Sequence, residues 1–276
     1  MLKHPRIIVA GAILQLILCS QSLANTRIAI VKNEAYKAII DCNTRLPIVV
    51  AYKVGKDEGN EPRYPSYIDD KSLLKNNPDC HPDLKSHKFK TYQAAATAAG
   101  VKEKYDVGHL AMSNHLDNTP ETIKLANQWS NLAPQRAEFN RSGGAWYASE
   151  LLVECQRDIE PLIVLTGVID IEGGDTTFMK TFKQPTPELW WRVIYFTKSN
   201  LYAAWLMPNS DKSLEGDFKR GTYDINLQSL SEKIIIRIPE IQSLIQYKTI
   251  KAGADMLETQ NKGGKLSCRG RTTYIS

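Results

Sequence analysis

Two apolar, β-branched runs, Tyr36–Cys42 and Pro47–Val54, stand only a turn-like Asn43-Thr44-Arg45 apart and predict an antiparallel hairpin. The rest of the chain must be built onto that beginning. Gly55–Lys90, polar and bearing glycine and proline, reads as loop with short turns. Thr91–Ala99 is alanine-rich and helical in pattern, with Gly100 as its stop. Val107–Met112 reads as a short strand, and Thr119-Pro120-Glu121 opens a helix with a capping hydroxyl followed by proline. A longer helix is expected from Asn140 or Ala145 to about Asp158. Strands then dominate, at Leu162–Asp170, Leu189–Thr197 and Leu201–Met207. A late helix is expected at Leu227–Ile235, where Leu227, Leu230 and Ile234 share a face. Two strands, a cluster of helices and then several strands predict an α+β fold, a central antiparallel sheet flanked by helices. The alternating unit of a parallel doubly wound fold is missing.

The start of the chain is set apart from this pattern. Lys3 and Arg6 precede an apolar run from Ile7 to Leu18, broken only by Gln15, and Ser22-Leu23-Ala24 puts small residues before a cleavage point. This is the layout of a secretory signal peptide, and the run is short for a membrane span. Bulky Leu18 ahead of Cys19 argues against lipoprotein processing. Residues 1–24 are therefore expected to be removed on export, leaving 25–276 as a single soluble domain, periplasmic or secreted. Loss of Lys3 and Arg6 lowers the formal charge from +5 to +3, which permits a polyanionic ligand without demanding one. No later stretch is apolar enough to cross a membrane, and oligomeric state is not legible.

Four cysteines remain, Cys42, Cys80, Cys155 and Cys268, an even set that suggests two disulfides in an exported chain. Of the possible connectivities, Cys42–Cys80 and Cys155–Cys268 are favoured, since each would staple a long loop or tail to the core. A zinc site near Cys80-His81 and His87 lacks paired ligand spacing.

Polar and aromatic residues are densest between Tyr105 and Glu150. Hydrolysis of a phosphodiester needs a group that takes a proton from water near neutral pH, and imidazole suits that task. Charge gathers on the phosphate oxygens and the departing 3′-oxygen, so a hard divalent cation helps. Magnesium keeps most of its waters and needs only one or two protein oxygens. His109, Asn140 and Glu150 supply a base, an amide oxygen and a carboxylate to orient metal-bound water. Gly108 would let the substrate approach the backbone closely. Each residue alone has a bland reading: a hydrogen-bonded histidine, an N-capping asparagine, a solvated glutamate, and ordinary loop amides at Asn131 and Gln135.

In order and together, these residues resemble the DNA/RNA non-specific endonuclease family, of ββα-metal architecture. The resemblance rests on Tyr105-Asp106-Val107-Gly108-His109, then Ser130-Asn131, Pro134-Gln135, Asn140, Gly144-Ala145-Trp146 and Glu150. Val164-Leu165-Thr166-Gly167 and Leu189-Trp190-Trp191-Arg192-Val193 extend it into the second half of the chain. It implies a strand–loop–helix active site in which His109 activates water, Asn140 binds Mg2+ (or Mn2+), and Glu150 contacts metal waters. Asn131 and Gln135 would shape the site. Activity on DNA and RNA alike, with 5′-phosphate products, is implied as well, through a grip on backbone phosphate.

Three features depart from the family pattern. Val107 stands where the family carries a phosphate-contacting arginine, so Arg63, Arg136 and Arg141 become candidate substitutes. Ser142-Gly143 adds two residues ahead of Trp146. Glu154 replaces an arginine, and would either raise metal affinity or face solvent. The expected function is an exported, sugar-non-specific, magnesium-dependent endonuclease. The alternative is a nucleic-acid-binding relative with little or no turnover.

Overall fold

The computed structural model describes residues 27–59, 61–82, 91–170, 175–234, 238–249, 259–262 and 265–268. The proposed signal peptide and His87 lie outside them.

The expected hairpin is present: β2 (Lys37–Asp41) pairs antiparallel with β3 (Leu46–Val54), and β1 (Ile28–Lys32) adds on the outer edge of β2. Arg45, in the turn, takes the left-handed conformation at φ 57°. β3 then pairs with β6 (Leu162–Ile169), followed by β7 (Leu189–Phe196) and β8 (Leu201–Pro208), all antiparallel. The six strands form the α+β sheet that the strand pattern predicts, and the two-residue β9 (Lys248–Thr249) joins β8 in parallel. A small hairpin, β10 (Thr259–Lys262) with β11 (Lys265–Cys268), follows.

The sheet is covered on both faces, which explains why its strands read as unbroken apolar runs rather than alternating ones. On β7, Trp190 and Ile194 enter a core shared with Trp146, Leu152 and Phe139. Trp191, Val193 and Tyr195 enter the opposite core with Leu227, Leu230 and Ile241. The first core is closed by α5 (Ala145–Arg157), the second by α8 (Leu227–Lys233) and α9 (Pro239–Leu244).

Between the neighbouring strands β3 and β6 lies the excursion that carries the site. It contains α1 (Lys71–Asn76), α2 (Tyr92–Ala98), β4 (Tyr105–His109), α3 (Pro120–Ala126), β5 (Leu132–Arg136), α4 (Ala137–Asn140) and α5. α1 falls where loop was expected. It is short, buries only Leu73, and is set by an N-cap at Asp70 rather than by an apolar stripe. Thr91 and Thr119 cap α2 and α3, the latter with proline at the first helical position. Two further short helices, α6 (Met179–Phe182) and α7 (Glu215–Lys219), sit in the connections around β7 and β8. No helix among the described residues is long and apolar enough to cross a membrane.

Cys42 is bonded to Cys80, which removes Cys80 from any zinc site. Cys155 is also in a disulfide, and β11, ending at Cys268, lies against α5. The side chain of Cys268 lies outside the described residues.

Candidate active site

β4 and β5 form a separate antiparallel ribbon, with His109 opposite Leu132 and Asp106 opposite Gln135, and α4 and α5 follow directly. This is a ββα unit, and it delivers three side chains to one place. His109 ends β4, Asn140 ends α4, and Glu150 lies on α5. All three border a cleft of about 430 Å³, together with Arg63, Asp106 and Arg141. A slightly larger cavity of about 470 Å³ beside Tyr36, Tyr52 and Leu244 contains none of the three and is mainly apolar. The three candidate residues share the first cleft alone.

The half-buried His109 ring is held by Asn127, whose Oδ1 lies 3.2 Å from Nε2. The Asn127 amide nitrogen donates to the Ile123 carbonyl, so its oxygen must face the imidazole as acceptor. Nε2 therefore carries the hydrogen, and Nδ1 is left as the basic nitrogen. Burial pulls the ring down to about 4, although part of its edge opens to the cleft, and the Arg63 charge acts the same way. Asn127 and the Val107 carbonyl oppose the shift. The imidazole is neutral at pH 7 and free to accept a proton.

Asn140 is the last residue of α4, not the N-cap of α5, whose N-cap is Gly144. The Asn140 amide nitrogen donates to Asp106 Oδ2 at 3.0 Å. Its oxygen is the polar atom left over. Asp106 also takes both ends of the Arg141 guanidinium, at 3.0 and 2.7 Å. The extra Ser142-Gly143 is absorbed by a turn closed from Gly144 N to Arg141 O, in which Gly143 has φ +94°.

Glu150 is 5 % exposed. Burial pushes its carboxyl up to about 7, opposed by the charges of Arg192 and Arg63. Arg192 is fully buried, with its guanidinium 3.8 Å above the Trp146 ring and its Nη2 3.7 Å from Glu150 Oε1. It also donates to Ser149 Oγ at 2.6 Å. A single cation inside the apolar strand Leu189–Phe196 was a signal that could have been read from sequence.

Several expected site residues do other work. Asn131 is fully buried and borders no part of the cleft. Its side chain accepts from Ala111 N and donates to the carbonyls of Ala111 and Ala126, each at 2.8 Å. It clamps the segment after His109 rather than touching substrate. Gln135 is likewise fully buried, and packs behind Gly108. A Cβ on Gly108 would strike Gln135 and the Trp190 ring, so this glycine answers to core packing and not to substrate approach. Arg136 is tied to Asp211 and Tyr105 away from the cleft. Arg141 borders the cleft, but Asp106 holds its guanidinium. Arg63 borders the cleft and makes no hydrogen bond or ion pair with another described residue. Glu154 neither faces solvent nor enters the cleft: its side chain is 7 % exposed, 3.4 Å from both Arg157 Nη1 and His115 Nε2. Sequence reasoning assigned no role to Asp106, Asn127 or Arg192.

The donor set suits a hard cation with a mainly aqueous shell: one spare amide oxygen, one buried carboxylate and no thiolate. No cluster of three or more His, Cys, Asp or Glu fit to cage a metal occurs among the described residues.

The profile of the DNA/RNA non-specific endonuclease family matches residues 18–233. No curated protein matches the chain. A chain in the crystal structure of the EndoG/EndoGI complex shares the fold, with a TM-score of 0.53 at 18 % identity. That likeness covers 79 % of this chain and 86 % of the other.

Proposed function

The chain belongs to the DNA/RNA non-specific endonuclease family, and on that premise we propose that it is an exported endonuclease using His109 as proton acceptor. One observation carries the reading. The His109 ring, oriented by Asn127, and the spare amide oxygen of Asn140, oriented by Asp106, border the same cleft.

A water beside Nδ1 gives up its proton to His109 as its oxygen attacks phosphorus. The bond from phosphorus to the 3′-oxygen breaks, the departing oxygen takes a proton from solvent water, and the products carry a 5′-phosphate and a 3′-hydroxyl. Asn140, oriented by Asp106, and Glu150, whose charged form Arg192 favours against burial, would hold magnesium or manganese through its water shell. Bound there, the cation supplies neutralisation of the charge on the reacting phosphate. Arg63 takes the place of the missing arginine at Val107, because its guanidinium has no hydrogen bond or ion pair with another described residue while Arg136 and Arg141 are engaged by aspartates. Contacts to backbone phosphate rather than base edges make DNA and RNA equivalent substrates. Processing after Ala24 sends the enzyme to the periplasm or beyond, away from the cell's own nucleic acids.

Purified protein lacking residues 1–24 is expected to nick supercoiled DNA and to degrade RNA with magnesium. The activity is expected to vanish in EDTA and in His109→Ala. Val107 favours a second reading, a binder with little turnover; salt-dependent DNA binding with no cleavage under any divalent cation would establish it instead.

A further inference from the structure

Among the described residues, Tyr67 is the one aromatic side chain left exposed, at 38 %. It borders the cleft. Its ring packs against Trp129, with centroids 5.7 Å apart, and beside His109 at 6.3 Å. Trp129 is itself buried and fixed by Tyr92 and Phe182. The adjacent main chain is pinned as well: Ile68 N donates to Asn127 O at 2.9 Å, and Trp129 N donates to Ile68 O at 3.2 Å. The segment that anchors Tyr67 is thus the segment that orients His109. The ring is preorganised, partly open, and one residue-width from the proton acceptor.

Resting on the nuclease reading above, we propose that Tyr67 is a stacking platform for the nucleobase adjoining the scissile phosphate, and that it makes unpaired nucleotides the preferred substrate. Every base presents a π-face, so stacking on tyrosine holds a nucleotide without reading its sequence. This complements a cleft whose cations grip phosphate. A base inside a duplex has both faces covered by its neighbours and reaches the platform only after paying for unstacking. Single strands, loops and frayed ends therefore bind better than intact duplex.

The test compares wild type, Tyr67→Leu and Tyr67→Trp on a labelled single strand with magnesium. The same strand carrying one abasic position beside a mapped linkage is the control. Leucine keeps an apolar contact with Trp129 and removes the platform; tryptophan keeps the platform. The leucine variant is expected to raise KM on the intact strand roughly 5- to 150-fold, the span of base–aromatic stacking, with kcat within about twofold. At the abasic linkage the two proteins should be equal, and tryptophan should restore wild-type behaviour. No change in KM, or the same change on both strands, overturns the proposal. Binding of a strand containing 2-aminopurine in EDTA separates it from the nuclease reading. Quenching by wild type and the tryptophan variant but not by the leucine variant supports the platform even if nothing is cleaved. Cleavage with equal quenching in all three proteins removes the platform and leaves the nuclease.

Discussion

The carboxylate of Asp106 accepts a hydrogen bond from the amide nitrogen of Asn140 at 3.0 Å, and so decides which end of that amide faces the cleft. Without it the amide could turn and offer nitrogen to a cation. Asp106→Leu is expected to raise the magnesium concentration for half-maximal cleavage about 10- to 100-fold, the usual effect of losing a group that orients a metal ligand. A metal titration of plasmid nicking measures it; an unchanged midpoint would separate Asp106 from metal binding.

His109 must be neutral to accept a proton, so cleavage should rise with pH as the ring deprotonates, at about 4 in the metal-free protein. Burial is the main cause and the Arg63 charge adds to it. Arg63→Gln removes a charge that lowers the ring, so its acid limb is expected at higher pH than wild type. Asn127→Ala removes a contact that raises the ring, and should move the limb the other way. The profile of kcat/KM against pH shows both. Arg63→Gln should also lose about 10²- to 10³-fold in kcat, by analogy with losing one transition-state donor.

Glu150 should trade stability for function. Burial holds its carboxyl at about 7 against an ordinary 4.5, so the folded protein keeps a proton that the unfolded chain has lost. As pH rises through that window, the metal-free protein must ionise a buried acid and loses stability. Glu150→Gln is therefore expected to stabilise the metal-free protein at pH 8 by about 1–3 kcal/mol and to change little at pH 4.5. Cleavage should be abolished. Thermal unfolding in EDTA at both pH values tests the sign, and destabilisation at pH 8 would mean that the Arg192 partnership outweighs desolvation.

Asn131→Ala is expected to act on stability before chemistry. It deletes three buried hydrogen bonds at 2.8 Å and leaves three backbone groups unpaired. A loss of about 2–4 kcal/mol follows. If Asn131 only clamps the segment after His109, the folded fraction should keep its pH profile and metal midpoint. A stable variant with a shifted profile would return Asn131 to the chemistry.

The first hairpin, the three long strands after Asp158 and the helix Ala145–Arg157 were readable because each is local: β-branched runs, turn residues, caps. The order of His109, Asn140 and Glu150 along the chain was equally legible, as was the Cys42–Cys80 pairing. What each polar residue of the motif is committed to was not. Asn131 and Gln135 look as chemical as Asn140 on paper, yet the fold buries both side chains in the core. Arg63, Arg136 and Arg141 are alike in sequence, and only the fold ties Arg136 to Asp211 and Arg141 to Asp106 while giving Arg63 no hydrogen bond or ion pair with another described residue.

Sequence by itself determined the kinds of groups present and the elements that carry them, because helix caps, strand runs and turns are decided by near neighbours. Tertiary structure alone decided which lone pair of His109 and which end of the Asn140 amide remain available. Those choices belong to Asn127 and Asp106 in the first place. A hydrogen bond needs a partner within about 3 Å, and chain order does not say which distant residue will come that close.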